Sequence, residues 1–279
     1  MTLLGLLHLV WTQAGLNLWH PAWRDSRKPL TVASRIRSAA SRIRTSKLQL
    51  DEILVTASFR KGGLKEKGEA AISRAKDGSL RLVCIAPLQQ YKAKWTGKSV
   101  PMESALALPM VTMSDAVWNQ TSRRFAREIA AWEAGASIVA VGQFAMVGTP
   151  ERSRWEWQEV ALMRVTERGI PVDSSYEDTM ESKLASEDRA FEKPLRFDAD
   201  EAEVLPDFIL LDTDPETVIE VFGMNTPEYA TRRDAKLAYY QANQSKVALW
   251  IWDAHTDPHA RRINPLPSAR QQARDETSN

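Results

Sequence analysis

The chain has a single cysteine, Cys84, in 279 residues, so no internal disulfide framework is possible. Cys84 lies in an apolar run, and a reducing, cytoplasmic setting is the simplest expectation. No segment reaches the roughly 20 consecutive apolar residues of a membrane span, so no membrane partner is expected. Acid is almost missing from the first 50 residues, where Asp25 is the only acidic residue. A phosphate-binding loop is excluded as well: Gly62-Gly63 and Gly68 are not followed by a Gly-Lys-Ser/Thr turn. No repeat of fixed period is visible.

The residues that are present indicate a globular protein. Hydrophobic residues make up 43% of the chain, close to ordinary globular usage. The length suits one large domain or two smaller ones. The apolar run Leu3–Trp11 imitates the core of a secretion signal but lacks the preceding basic residues. It reads as a domain helix.

Net charge is only +1, but residues 1–50 carry eight basic residues against Asp25, a local +7 that leaves −6 for the rest. Fields decay over about 8–10 Å at physiological salt, so the local charge governs partner choice. Thr31–Ser46 reads as a helix with Val32, Ile36, Ala39, Ala40 and Ile43 as its inner stripe. Arg35, Arg37, Arg42 and Arg44 project elsewhere, as phosphate contacts for nucleic acid or as a solvated face. Ten tryptophans are more than a chain of this size usually carries. Trp11, Trp19 and Trp23 sit near the basic segment, either to stack on bases or to pack the core.

Elsewhere in this half, Glu52–Phe59, Leu80–Leu88, Ser137–Val147 and Trp155–Val165 read as strands. Lys61–Gly68 reads as a loop. Trp118, Thr121, Phe125, Ile129 and Trp132 repeat at helical spacing. Gly169, Pro171 and Ser174-Ser175 mark a boundary. The expected division is a mixed α+β domain over 1–170, a second domain over 171–264, and a frayed polar tail over 265–279.

The second domain carries the chemistry. Ser174 or Ser175 can cap a helix over Tyr176–Ala185, with Glu177 and Glu181 one turn apart. Lys193–Phe197, Leu205–Asp212 and Val218–Gly223 read as strands, Pro227–Tyr240 as a helix and Val247–Asp253 as a last strand. A tight turn at Asp214-Pro215 pairs Asp207 with Phe222 and Ile209 with Glu220. Asp207 and Glu220 are then diagonal neighbours on one face, roughly 7–8 Å apart at the backbone. A slip of one residue would separate them. Such oxygen ligands suit Mg²⁺ or Mn²⁺, with the Val221 carbonyl as an extra ligand. Tyr229, Arg232, Arg233, Lys236 and Tyr240 share a face of the next helix. A cationic face beside a carboxylate-held metal is what phosphoryl chemistry requires.

Pro206-Asp207 and Glu220-Val221-Phe222, in helix–strand–strand–strand–helix–strand order, resemble the PD-(D/E)XK nuclease superfamily, the restriction-endonuclease-like fold, over about residues 175–255. The resemblance implies metal ligation by Asp207 and Glu220, with Glu177, then Glu181, as the first-helix acid. The superfamily's lysine two positions after the acid is Phe222 here. Some members take that cation from the following helix, which implies Lys236 first and Arg233 or Arg232 next. The implied fold is an α/β restriction-endonuclease-like core behind a mixed α+β domain. The implied function is Mg²⁺-dependent cleavage of DNA, with Arg35, Arg37, Arg42, Arg44 and Arg232 as nucleic-acid contacts. A domain that binds DNA without cutting it, or a protein-interaction module of a transfer apparatus, are the alternatives.

The chain as a whole also resembles a bacterial family of unknown function associated with plasmids and integrative mobile elements. The residues that carry this are Leu3–Trp11, Asn17-Leu18-Trp19-His20-Pro21, Lys193–Phe197, and Glu220–Asn225 with Tyr229. Relatives in that family tend to extend upstream of the position of Met1. Asp253, His255, Asp257 and His259 alternate near the end but read as a polar loop. Asp212 and Asp214 read as turn formers, with Asp212 able to join a second metal.

Overall fold

The computed structural model describes all residues except 25–26, 47, 59–62, 79, 94, 96–98, 197–203, 244–245, 262 and 271–279. In chain order the first elements are α1 (Leu3–Gln13), β1 (Leu18–Trp19), α2 (Pro29–Ala40), β2 (Leu54–Thr56), α3 (Gly63–Gly78), β3 (Leu82–Pro87) and β4 (Val111–Thr112). They are followed by α4 (Asp115–Arg124), α5 (Ala126–Glu133), β5 (Ser137–Val147), β6 (Arg154–Val165), α6 (Ser175–Ser186) and β7 (Phe191–Glu192). The last are β8 (Phe208–Leu210), β9 (Thr217–Val221), α7 (Pro227–Ala242) and β10 (Ala248–Trp252). The architecture is mixed α/β, with seven α-helices and two five-stranded mixed sheets among the described residues. No described helix is long and apolar enough to cross a membrane.

The chain divides into two compact units. The N-terminal unit comprises Met1–Asn17, Asp25–Val172 and Leu195–Glu201, and the C-terminal unit comprises Leu18–Arg24, Asp173–Pro194 and Ala202–Asn279.

In the N-terminal unit the sheet order is β2-β3-β5-β6-β4. β3 is a continuous apolar run buried along Leu82–Ala86, the pattern of a strand covered on both faces. β5 and β6 form a long antiparallel pair beside it. The apolar run near the start is α1, capped by Thr2, whose Oγ1 accepts from Gly5 N at 3.1 Å. Leu3, Leu7, Val10 and Trp11 fall at helical steps and are buried in the core.

Several expectations are corrected here. Lys61–Gly68 is not a loop beyond its first two residues, which lie outside the described set; Gly63–Gly78 is α3. The helix expected across Trp118–Trp132 is two helices, α4 and α5, broken at Phe125 (φ −115°, ψ 36°), whose side chain is buried. Glu52–Phe59 is shortened: Leu50–Ile53 is a 3₁₀ turn, β2 spans Leu54–Thr56, and Phe59 lies outside the described residues. Leu18–Trp19, for which no strand was expected, form the short β1. Trp11 and Trp19 are both 2% exposed, so they pack the protein and offer no stacking surface.

The basic helix also differs from expectation. α2 stops at Ala40, and its arginines are largely consumed by backbone carbonyls. Arg37 is 4% exposed and donates to Asp51 O at 2.9 Å and Leu54 O at 2.7 Å. It ties α2 to the chain entering β2, so it is not a phosphate contact. Arg35 Nη2 donates to Gly15 O at 3.3 Å, and Arg42 Nη2 to Gln13 O at 2.8 Å. Those carbonyls lie at the C-terminal end of α1, where a cation offsets the helix dipole and satisfies orphan acceptors. Arg44 remains exposed, and Lys47 lies outside the described residues.

In the C-terminal unit the sheet order is β1-β7-β8-β9-β10. β9 and β10 are parallel and the other pairs antiparallel. Parallel neighbours need a crossover, and α7 supplies it. β9 is buried at every residue, as a strand flanked on both sides should be. Arg189 and Asp212 form a two-pronged ion pair at the end of β8, with Nε–Oδ2 at 2.8 Å and Nη2–Oδ1 at 2.6 Å. Asp212 is therefore committed to Arg189. Pro265–Arg270, expected to be frayed, is tied down: Arg189 Nη1 donates to Pro267 O at 2.7 Å and Arg270 N to Asp212 O at 2.7 Å.

Two expectations for stability arise from these contacts. Arg37→Ala should lower the unfolding free energy by on the order of 3 kcal/mol, because two buried carbonyls lose a charged donor, while Arg44→Ala should stay within about 0.5 kcal/mol. Chemical denaturation of the two variants checks this. Burial pushes the Asp212 carboxyl up, but the donors from Arg189 and the Ala190 N–H outweigh it and hold it below the ordinary aspartate range. A carboxyl lowered on folding adds stability above its unfolded pKa of about 4 and loses it as pH falls through the lowered value. Asp212→Asn should therefore cost about 1.5–3 kcal/mol at pH 7, with the gap to wild type closing in acid; urea midpoints across pH read it.

Candidate functional site

The C-terminal unit buries a cluster of carboxylates with two lysines and a tyrosine. It starts with the cap of α6. Ser174 accepts from Glu177 N at 3.1 Å, and Glu177 Oε2 in return accepts from Asp173 N at 3.1 Å. The Ser-x-x-Glu spacing is that of a capping box, with the glutamate reaching one residue further back, to Asp173 N in place of the cap residue's own N–H. An ordinary capping glutamate is exposed, but Glu177 is 6% exposed. Gly223 allows the close approach: a Cβ there would lie 2.6 Å from the Tyr176 ring. The first turn of α6 thus sits against the end of β9.

Asp207 and Glu220 come next. The pairs Phe208–Ile219, Ile209–Val218 and Leu210–Thr217 define the register of β8 with β9. Continued by one residue, this register sets Asp207 directly opposite Glu220. The sequence expectation of a diagonal pair is corrected by two residues. A two-residue difference preserves the face, because side chains alternate with period two, and it brings the carboxylates closer. The cause is the centre of the connection: β8 ends at Leu210 and β9 begins at Thr217, so the chain reverses about Thr213-Asp214, one residue earlier than a turn at Asp214-Pro215.

Glu220 is fully buried and doubly held. Lys236 Nζ donates to Oε2 at 2.7 Å and Tyr240 OH to Oε1 at 2.7 Å. Lys236 and Tyr240 are one turn apart on α7 and share a face. Lys236 also donates to Leu205 O at 2.9 Å, which fixes its ammonium near the approach to Asp207. Asp207 Oδ2 accepts from Val221 N at 2.7 Å. The Val221 carbonyl faces the Tyr229 hydroxyl at 3.5 Å.

Lys193 is the residue that sequence reasoning missed. Its Nζ lies 2.7 Å from Glu177 Oε2 and 4.0 Å from Asp173 Oδ2, and 5.4 Å above the Phe208 ring. Its side chain is 5% exposed. The expected strand Lys193–Phe197 is displaced: β7 is Phe191–Glu192, and Phe197 lies outside the described residues. Lys193 is in phase with Phe191, which is fully buried. A lysine in step with a buried phenylalanine was the available signal.

The electrostatics follow from the census of charges. Burial pushes the Asp207 carboxyl up, as does the charge of Glu220, against the pull of Lys193, Lys236 and the Val221 N–H. The Glu177 carboxyl is also raised, first by burial, with Lys193 opposing and Asp173 and Asp207 adding to it. Burial opposes charge on Lys193, but the carboxylates of Glu177, Asp173 and Asp207 prevail and raise it. The Tyr240 hydroxyl is pushed far up by burial and by its bond to Glu220, so it stays a donor.

The structure therefore gathers Glu177, Asp207, Glu220, Val221 and Lys236 in one place. Arg233 is not in the cluster; its Nε reaches Asp234 at 3.4 Å. Arg232 is exposed on α7 and lies 5.9 Å from the Tyr229 ring. Glu181 is buried one turn along α6. Phe222, at the position of the superfamily's lysine, is 5% exposed and packs edge-on to Tyr229. Arg35, Arg37, Arg42 and Arg44 belong to the N-terminal unit. Asp253 and Asp257 accept from Thr256 N and Arg261 N, as turn formers do. Among the described residues, no group of three or more His, Cys, Asp or Glu is arranged to hold a metal. The donors on offer are two opposed carboxylates and a carbonyl.

No curated protein matches the chain. Residues 1–255 match the family described as "Protein of unknown function (DUF1173)", and the chain belongs to that family.

Proposed function

We propose that the C-terminal unit is a metal-dependent phosphodiesterase acting on DNA, in the transfer or maintenance of a mobile element and in the cytoplasm. The observation that carries this reading is the placement of Asp207 opposite Glu220, with the Lys236 ammonium on Glu220. The donor set fits Mg²⁺ or Mn²⁺. Each carboxylate oxygen keeps a second lone pair beside its present hydrogen bond, and Mg²⁺ needs only one or two carboxylates because it retains water. Burial first, then the charge of Glu220, raises the Asp207 carboxyl, and a cation between the two would favour its charged form. Asp207, Glu220 and the Val221 carbonyl would hold the ion. When bound, it polarises a phosphate oxygen and makes water a better nucleophile.

The remaining residues have distinct tasks. Lys236 uses two of its three N–H donors on Glu220 and Leu205, leaving one for a phosphate oxygen, where it offsets developing negative charge. Lys236 thereby takes the part of the cation that Phe222 cannot supply. Tyr240 holds Glu220 in place. Arg232, exposed on the same helix, is the outlying phosphate contact. Phe222, and a Glu220 already held on both oxygens by Lys236 and Tyr240, favour a second reading, in which the unit binds DNA and does not cut it.

An assay on plasmid and single-stranded DNA with Mg²⁺ or Mn²⁺, beside EDTA, separates the two readings. Asp207→Ala and Glu220→Ala should lose cleavage, and Lys236→Met should lose about 10²–10³-fold in kcat, with DNA affinity little changed. Cleavage retained by folded Asp207→Ala contradicts the assignment; binding with no cleavage by wild type favours the second reading. Arg232→Ala should weaken binding and reduce the salt slope by about one, read by titration at several salt concentrations.

A further inference from the structure

Tyr229 stands beside the candidate ion site and has no task in the chemistry above. It lies in the first turn of α7, where Thr226 Oγ1 accepts from its backbone N–H at 3.3 Å. Its hydroxyl donates to the Val221 carbonyl at 3.5 Å, and Val221 N in turn holds Asp207 at 2.7 Å. Phe222 meets the ring almost at right angles, with centroids 6.4 Å apart, and is itself buried. The residue that stands where the superfamily carries lysine therefore fixes the plane of the Tyr229 ring. The ring is half-buried, and the exposed guanidinium of Arg232 stands 5.9 Å from its centre.

We infer that Tyr229 is the seat of an unpaired nucleobase, so the substrate is single-stranded DNA or a duplex opened at the site. The inference rests on the DNA-directed reading above and names the form of the substrate. Guanidinium and ring stand close enough to meet the phosphate and the base of a single nucleotide. The hydroxyl end of the same ring adjoins the carbonyl assigned to the ion, so that nucleotide is a neighbour of the phosphate to be cut. In a duplex each base face is already covered by the bases above and below it. A protein ring reaches a base face only where the base is unpaired or turned out of the stack. Tyrosine suits the place, because its ring is a rigid apolar face and its hydroxyl keeps a hydrogen-bond partner. Stacking of this kind tolerates any base and gives little sequence preference. A duplex reader instead needs a track of cations along the phosphates. The arginines of the first 50 residues do not supply one: Arg35, Arg37 and Arg42 are turned onto backbone carbonyls.

The test measures binding of the full-length chain to labelled DNA by fluorescence anisotropy, in EDTA and in Ca²⁺. One oligonucleotide is offered as a single strand, as a duplex, and as a single strand of abasic sugars. Wild type should hold the single strand about 10-fold or more tighter than the other two, the effect of one base stacked on an aromatic ring. Tyr229→Leu should lose about 10-fold on the single strand and little on the duplex, while Tyr229→Phe, which keeps the ring, should bind as wild type. Tyr239→Leu, at an exposed tyrosine further along α7, should change neither. Equal affinity for single strand and duplex, or single-strand binding unchanged in folded Tyr229→Leu, overturns the inference and leaves the metal-dependent reading to its own cleavage assay. No binding of any DNA by wild type at low salt overturns both. If Tyr229→Leu does not fold, irradiation of wild type on an iodouracil-substituted single strand decides: a cross-link at Tyr229 supports the inference, and cross-links only at other residues overturn it.

Discussion

The C-terminal unit depends on a shortage of positive charge. Glu177, Asp207 and Glu220 share two ammoniums, Lys193 and Lys236, in a setting where unpaired charge is strongly disfavoured. Each element of the unit contributes to keeping the acids there. α6 caps itself with Glu177, the β8–β9 register sets Asp207 against Glu220, and α7 delivers Lys236 and Tyr240 one turn apart. Natural cores avoid such an imbalance unless something else completes it. The imbalance is the physical reason for reading a cation into the site.

The N-terminal unit handles its charge differently. A local +7 in the sequence invites a nucleic-acid reading, but Arg35, Arg37 and Arg42 are turned onto carbonyls at the end of α1 and the start of β2. A guanidinium offers five donors in a fixed fork, which makes it suited to gathering carbonyls that a helix end leaves without partners. Charge counted along a chain does not tell whether its counterpart is a phosphate or a peptide oxygen.

How much could be read in advance depended on the kind of signal. The order of elements from α6 to β10 was legible because apolar runs of different length alternate with strong turn residues. The shared face of Asp207 and Glu220 survived an error of two residues in register, since side-chain period two forgives even slips and only odd ones are fatal. The one sign of Lys193 in the cluster was its phase with the buried Phe191. β7 is two residues long and carries too little pattern to set the phase of the residues after it. α3 was hidden by Gly63 and Gly68, of which Gly68 is needed where a Cβ would lie 2.7 Å from Ala107. β1 was hidden by its length, and its partner strand lies far along the chain.

The central claim is that the opposed pair Asp207 and Glu220 is a place for a divalent cation. Anomalous diffraction from crystals grown with Mn²⁺ tests it directly. The account predicts one strong peak between the two carboxylates, at roughly 2.0–2.3 Å from an oxygen of each, close to the distances of a small hard cation. Ordered crystals with no peak there, and with Lys236 and Tyr240 still closing both oxygens of Glu220, would contradict it.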